Sequence, residues 1–168
     1  MMRSELGRAM PTPQMKSVLI TKNQSAEDIA RLLLFAEKQS RAYIPKLLPF
    51  FEDKDAILCC KKVWYFLRNN INYVKEPPAR QTAKTINRLV SDGFGDCKHY
   101  ATFSVCVLRA LGIPCVFRLA SFTHGNTNPT HAYCVAFVNG EEIYIDACIK
   151  KFDNECAYKY KHDIKPAK

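Results

Sequence analysis

The sequence predicts an α+β fold in which N-terminal helices pack on an antiparallel β-sheet. Apolar residues recur at helical spacing as far as residue 111, and strand patterns rich in Val and Phe follow from residue 115. Asn139-Gly140 separates two of these strand segments and is a strong short-range signal for a hairpin. Helices followed by paired strands are typical of an α+β domain.

Local signals predict where the helices and strands lie. Ser25 and Asp28 have the spacing of a capping box, and Pro45 stops the helix that begins there. Gly112 and Pro114 have the order expected just beyond the end of a helix. We therefore predict helices over residues 25–43, 53–70, 82–90 and 96–111, and strands over residues 115–122, 130–138 and 141–148.

Length and composition favour a single globular domain. The chain has 168 residues, of which 48% are apolar and 24% are charged, and these values exclude wholesale disorder. Pro11 and Pro13 lie in a segment without sustained periodicity, and the last residues are rich in Lys. We expect a flexible N-terminal arm over residues 1–20, one domain over residues 21–156 and a basic C-terminal tail over residues 157–168.

The net charge, the lack of long apolar runs and the cysteine pattern limit the possible binding partners and the cellular compartment. A net charge of +9 favours an acidic partner, with nucleic acid as one alternative, but does not define an oligomeric state. No apolar run reaches the length of a membrane span or a secretion signal, so we expect no membrane partner and a cytoplasmic protein. Eight cysteines without a C-x-x-C pair indicate reduced, mostly buried thiols and no structural zinc site of the usual spacing.

Cys97 differs from the other cysteines because it begins a predicted helix directly after Gly95-Asp96. The N–H groups and the dipole at a helix N-terminus stabilise an anion, which favours the thiolate, the nucleophilic form of cysteine. The same N–H groups could receive the oxyanion of a tetrahedral intermediate. Many cysteines in such patterns only pack in the core, so a nucleophilic role requires a partner base.

His131 and Asp146 are the candidate base and its orienting partner. If Asn139-Gly140 forms a two-residue turn, Tyr133 faces Asp146, and His131 lies diagonal to that carboxylate on the same face of the sheet. The carboxylate could then hold one imidazole nitrogen while the other nitrogen meets the thiol of Cys97. Taken singly, His131 would be a histidine at a strand edge whose hydrogen bonds are satisfied, and Asp146 would be an acid that caps a turn.

Two further residues lie close to Cys97 in the predicted structure, one as a potential base and one as a potential disulfide partner. His99 follows Cys97 by two positions on the helix, so it points about 200° away and is not the base. Cys148 faces His131 in the predicted register and could pair with Cys97 under oxidation.

In combination, these segments resemble the transglutaminase-like superfamily. Its nucleophile-helix signature is similar to GDCKHYATF followed by LRALGIP, and its His and Asp strands are similar to THAYCVAF and IYIDA. These segments are residues 95–103, 108–114, 130–137 and 143–147. The resemblance covers about residues 55–150 and is greatest to small stand-alone bacterial and phage members.

The resemblance implies a catalytic domain with a papain-like core that acts on a protein or peptide substrate. Cys97 would attack a peptide or carboxamide carbonyl, His131 would protonate the leaving amine, and Asp146 would orient the imidazole. Water would complete hydrolysis, which we favour, and an amine would complete crosslinking. Gln81 is a candidate oxyanion donor, and His124 is a candidate substrate contact.

The resemblance implies no cofactor, and the calcium sites of animal members have no visible counterpart. Their strand tryptophan is not matched either, and we interpret Trp64 as a core residue on a helical stripe.

Two other functions remain as alternatives. One is a non-catalytic binding or structural module that keeps the fold, such as a phage virion component, present in the virion or the infected host cell. The other is a basic nucleic-acid-binding protein, which rests on the net charge and the tail.

Overall fold

Helices form the first two-thirds of the chain and the main β-sheet forms the last third, which confirms the predicted α+β class. The computed structural model describes residues 3–11, 13, 18–21, 25–77 and 80–166. The α-helices are α1 (Arg3–Ala9), α2 (Ala26–Ser40), α3 (Leu48–Phe51), α4 (Ala56–Asn70), α5 (Ile86–Asp92) and α6 (Cys97–Ala110). The strands are β1 (Val18–Thr21), β2 (Asn72–Tyr73), β3 (Gln81–Ala83), β4 (Phe94–Gly95), β5 (Cys115–Ser121), β6 (His131–Val138), β7 (Glu141–Ile145) and β8 (Tyr160–Ile164). Within the described ranges, no helix is both long and apolar enough to cross a membrane.

The main sheet has four antiparallel strands in the order β7-β6-β5-β8. Asn139 and Gly140 have φ angles of 54° and 84°, and two successive residues in this left-handed region form a tight hairpin turn. Val138 pairs with Glu141 across that turn, so the predicted register is confirmed. Two small ladders lie outside this sheet, one antiparallel between β1 and β3 and one parallel between β2 and β4.

Helix α6 is the centre of the core. Every residue from Lys98 to Leu108 is buried, with β5 and β6 on one side of the helix and α2 and α4 on others. Phe103 packs against Phe51 and Phe66, with ring centroids 5.3–5.6 Å apart. Buried aromatic residues of this kind contribute about 3–5 kcal/mol each when compared with alanine. This packing holds the N-terminus of α6 in a fixed position relative to the sheet.

Three helix boundaries differ from the prediction. Helix α2 ends at Ser40, and Pro45 lies inside a following 3-10 helix, Arg41–Lys46, rather than at the end of one long helix. Helix α4 begins at residue 56 because the Asp55 carboxylate caps it by accepting the N–H of Ile57 over 2.8 Å. Helix α5 begins at residue 86 rather than 82 because residues 82–83, predicted as helical, belong to β3 and pair with β1 instead.

The two terminal segments also differ from the prediction. Residues 3–9, within the predicted arm, form a helix whose Leu6 is fully buried, whereas residues 1–2, 12 and 14–17 lie outside the described residues. Part of the predicted tail forms β8, which pairs with β5. The sequence signal was weak because Ile164 is the only buried residue among the five of β8. The domain limits remain a prediction.

Candidate active site

Cys97 is the first residue of α6 and lines a cleft of about 230 Å³. Asp96 is the N-cap residue of the helix, and its backbone N–H donates to Nδ1 of His99 over 3.1 Å. Packing disfavours a larger residue than the neighbouring Gly95, because a Cβ at this position would lie 2.6 Å from Cδ1 of Leu89 and 3.0 Å from Cβ of His99. These contacts fix the start of the helix, so the dipole of α6 acts directly on the Cys97 thiol.

His131 and Asp146 are joined by a short hydrogen bond between Nε2 and Oδ2, 2.6 Å long. His131 is the first residue of β6, and Asp146 directly follows β7, whose last residue Ile145 pairs with Cys134. The predicted diagonal placement is therefore confirmed. Asp146 is buried, and a hydrogen bond shielded from water is stronger than an exposed one.

Cys97 and His131 meet at the cleft, and the thiol interacts with the imidazole. Burial of His131 opposes its protonation, but the hydrogen bond with Asp146 and the interaction with Cys97 outweigh burial and raise the pKa of His131 to about 10. Because Asp146 occupies Nε2, Nδ1 is the ring nitrogen left for the sulfur. An imidazolium beside a sulfur stabilises the thiolate. The three residues singled out by the sequence are thus in one group.

Two side chains of α4 fix the main chain around Asp146, and the sequence analysis did not assign them this role. The indole N–H of Trp64 donates to the carbonyl of Asp146 over 3.0 Å, while its ring contacts Phe152. Arg68, one helical turn later, donates to the carbonyl of Ala147 over 3.2 Å. The spacing of four residues was a visible signal for a shared helix face, but the partners are about 80 positions away in sequence.

A buried charge network lies beside the candidate nucleophile. The ammonium of Lys98 pairs with Glu76 over 2.8 Å and also with Asp96. Burial opposes ionisation of Asp96, but His99 and Lys98 outweigh it and keep the pKa of Asp96 far below its usual value. The Nε2 atom of His99 lies 3.1 Å from the carbonyl of Thr82. His99 therefore stabilises the helix start, in agreement with its exclusion as the base.

Other residues at the cleft differ in how they relate to the cysteine. Gln81 lines the cleft, but its amide donates to the carbonyl of Pro77 over 3.0 Å and braces the preceding loop. His124 is exposed in the β5–β6 loop and does not line this cleft. Tyr73, which the sequence analysis missed, does line it, and burial together with the nearby Cys97 raises the pKa of its phenol. The substrate roles of Gln81 and His124 stay predictions.

Cys148 is a further thiol at the site. Its backbone N–H donates to Oδ1 of Asp146 over 3.0 Å, and burial raises the pKa of its side chain. One potential ligand atom from each of His131, Asp146 and Cys148 lies within 4.8 Å of the other two. Such a group could hold a metal ion.

A family model described as the transglutaminase-like superfamily matches residues 52–149, more than half of the chain. The chain belongs to the transglutaminase-like superfamily. The matched range contains Cys97, His131 and Asp146, and it confirms the resemblance seen in the sequence. No curated protein has a matching sequence.

Two solved structures share the transglutaminase-like fold of this chain. A candidate protease from Parabacteroides distasonis is 18% identical, with a TM-score of 0.52 over 71% of this chain and 26% of its own. A candidate cysteine protease from Cytophaga hutchinsonii is 19% identical, with a TM-score of 0.50 over 77% of this chain and 45% of its own. The chain therefore spans less than half of either protein, and at these identities the similarity concerns the fold.

Proposed function

We propose that this chain is a cysteine-dependent acyl-transfer enzyme that acts on peptide or carboxamide bonds. The observation that carries the proposal is the position of His131, whose Nε2 lies 2.6 Å from Oδ2 of Asp146 and which lines the same cleft as Cys97. A nucleophile, a base and a group that orients the base are the three parts that thiol catalysis requires.

In the proposed mechanism, the Cys97 thiolate attacks the substrate carbonyl, and the carbonyl oxygen becomes an oxyanion. Backbone N–H groups in the first turn of α6 stabilise this charge. The His131 imidazolium gives its proton to the leaving amine, the C–N bond breaks, and a thioester on Cys97 remains. Asp146 keeps the imidazole in the required orientation throughout.

The thioester is then transferred to an acceptor. With water, His131 removes the proton from the attacking water and the product is a carboxylic acid. With an amine, the product is a new amide bond, as in protein crosslinking. We propose hydrolysis as the main reaction because the two structural relatives are described as proteases.

Selective labelling of the eight thiols tests the proposal. Iodoacetamide should alkylate Cys97 first, although Cys148 and Cys156 are also partly exposed, because Cys97 begins α6 and lines the cleft together with His131, a base that can take the thiol proton. The preference should disappear in His131→Ala and persist in the control variant Cys156→Ser. Equal reactivity of all partly exposed thiols would contradict the proposal and favour a binding or structural module. Salt-dependent retention on DNA without selective labelling would instead favour nucleic-acid binding.

Turnover distinguishes the two acceptors. The protein is incubated with peptide and glutamine-containing protein substrates, with and without a fluorescent amine, and free amine ends, ammonia and incorporated label are measured. Hydrolysis predicts new amine ends or ammonia without label. Cys97→Ala should lower either activity by about 10⁶-fold, as nucleophile removal does in a protease triad. The melting temperature should change little, because the side chain is small and partly exposed at a helix end.

A further inference from the structure

Cys148 lies against the His131–Asp146 pair, but the proposed mechanism gives its thiol no role. One ligand atom from each of the three residues lies within 4.8 Å of the other two. His131 and Cys148 are both partly exposed, so the group can be reached from outside the protein. The structure therefore holds an imidazole, a carboxylate and a thiol together beside an open cleft.

The main chain that carries two of these groups is held in place before any ligand arrives. The Cys148 N–H donates to Oδ1 of Asp146 over 3.0 Å. Trp64 and Arg68 donate to the carbonyls of Asp146 and Ala147 over 3.0 and 3.2 Å. Groups fixed in this way lose little conformational freedom when they bind a common partner.

The donor set selects among metal ions by its chemistry. Thiolate and imidazole are ligands of zinc, whereas calcium and magnesium prefer oxygen ligands. Zinc bonds of about 2.0–2.3 Å put neighbouring tetrahedral ligand atoms roughly 3.3–3.8 Å apart. To reach this spacing, the ligand atoms that are up to 4.8 Å apart must move closer together. The contact between His131 and Asp146 must lengthen slightly from 2.6 Å.

We propose that His131, Asp146 and Cys148 form an inhibitory zinc site. Zinc binding displaces the thiol proton of Cys148 and the proton on the coordinating nitrogen of His131, and water completes the coordination. While zinc holds the imidazole together with Asp146, His131 can no longer exchange a proton with Cys97. Acyl transfer therefore stops. The inhibitory part of this proposal rests on the proposed function, whereas metal binding does not.

Zinc binding is tested first in Cys97→Ser, which removes the proposed nucleophile and keeps the three ligands. Zinc is titrated in competition with a chromophoric chelator, in a reductant that does not bind zinc. We expect one zinc ion per chain in Cys97→Ser. Adding Cys148→Ser should weaken binding by at least about tenfold, since even outer partners of a bound metal contribute about 10–100-fold. Adding Cys156→Ser instead, which changes a partly exposed thiol outside the group, should leave binding unchanged.

Two binding results would overturn the site. One is loss of zinc binding in Cys97→Ser when the parent protein binds, which would make Cys97 the ligand. The other is equal binding with and without Cys148. Circular dichroism of each variant confirms that it is folded, and calcium in place of zinc should produce no binding.

Inhibition is tested separately in the parent protein. Zinc should slow alkylation of Cys97 and abolish turnover at the concentration that fills the site, and a chelator should restore both. Inhibition that requires peroxide and yields a Cys97–Cys148 disulfide would overturn the zinc proposal in favour of oxidation. A chain that binds zinc at these residues but shows no turnover would defeat the proposed function and leave the metal site intact.

Discussion

Two cationic side chains lie on the same face of the main sheet, Arg118 buried and His131 partly exposed, and their surroundings differ. Arg118, in the middle of β5, donates five hydrogen bonds of 2.7–2.8 Å to three carboxylates. The carboxylates belong to Glu142, Glu155 and Asp163. His131, at the start of β6, has one ring nitrogen on Asp146 and lines the same cleft as Cys97. Alternation along the strands puts both side chains on one face.

The comparison separates a structural charge from a reactive one. A guanidinium has five N–H donors, and Arg118 uses all of them to join β5 to β7, β8 and the segment between. The imidazole of His131 instead keeps one nitrogen available at a cleft, where it can exchange a proton. On one sheet face, completeness of hydrogen bonding thus distinguishes the group that stabilises the fold from the group suited to chemistry.

Among the variants that compare the two clusters, the largest effect is expected when the partner of His131 is changed. Asp146→Asn keeps the shape but favours the wrong imidazole tautomer, so kcat/KM should fall by up to about 10⁴-fold, as in serine triads. Removing the carboxylate should also lower the pKa of His131, because the hydrogen bond with Asp146 raises it. Asp153→Asn is the matched control, because this carboxylate accepts the N–H of Tyr144 in β7 instead of contacting His131, and it should leave kcat/KM unchanged. Unaltered turnover in Asp146→Asn would remove this carboxylate from the mechanism.

Arg118→Met should destabilise the protein and spare the chemistry. Breaking a fully buried ion pair costs about 3–5 kcal/mol, and the loss here should be smaller because the three carboxylates are 19–35% exposed to water. Arg118→Lys should recover only part of this loss, because an ammonium cannot make the planar five-donor contact. Urea unfolding measures the stability, and kcat per folded molecule should stay within about twofold of the parent, since the hydrogen bonds of Arg118 do not reach Cys97, His131 or Asp146. Normal stability in Arg118→Met would contradict the structural role.

The sequence predicts the reactive cluster better than the structural one. Cys97 was found from a helix start, and the His131–Asp146 contact from the register that Asn139-Gly140 imposes, so both depend on local rules. The Arg118 cluster depends on carboxylates that lie 24, 37 and 45 positions away in the sequence. No local sequence pattern predicts contacts over such separations. Trp64 packs against the core as predicted, but its hydrogen bond to the Asp146 carbonyl was missed because that partner lies 82 positions away.

A smaller effect is expected from Trp64→Phe, which keeps an aromatic ring but removes the donor to the Asp146 carbonyl. An unsatisfied buried acceptor costs about 1–3 kcal/mol. Part of that cost should appear as misplacement of Asp146, with kcat lowered by about tenfold and KM nearly unchanged. Tyr65→Phe, on the exposed side of the same helix, is the control. A loss of stability with unchanged kcat would show that Trp64 only packs.

The smallest effect is the pH dependence of stability, which has opposite signs in the two clusters. The hydrogen bond with Arg118 outweighs burial and lowers the pKa of Glu142 from 4.5 to about 2, so its contribution is present above pH 4.5 and is lost as the pH falls towards 2. The pKa of His131 is raised from 6.5 to about 10, so its contribution is present below pH 6.5 and is lost as the pH rises through 10.

Unfolding free energies of matched variants separate these two contributions. Glu142→Gln should differ from the parent at pH 6, and the difference should shrink between pH 4.5 and 2, whereas the exposed neighbour Glu141→Gln should show no such trend. Asp146→Asn should differ from the parent at pH 6, and that difference should shrink as the pH rises towards 10. Parallel pH profiles for both variants would mean that the clusters are not distinct in their electrostatics. Opposite profiles would show that the two charged clusters on this face differ in how they stabilise the fold. Only the contribution of the His131–Asp146 pair to the free energy of unfolding then increases when the imidazole gains a proton.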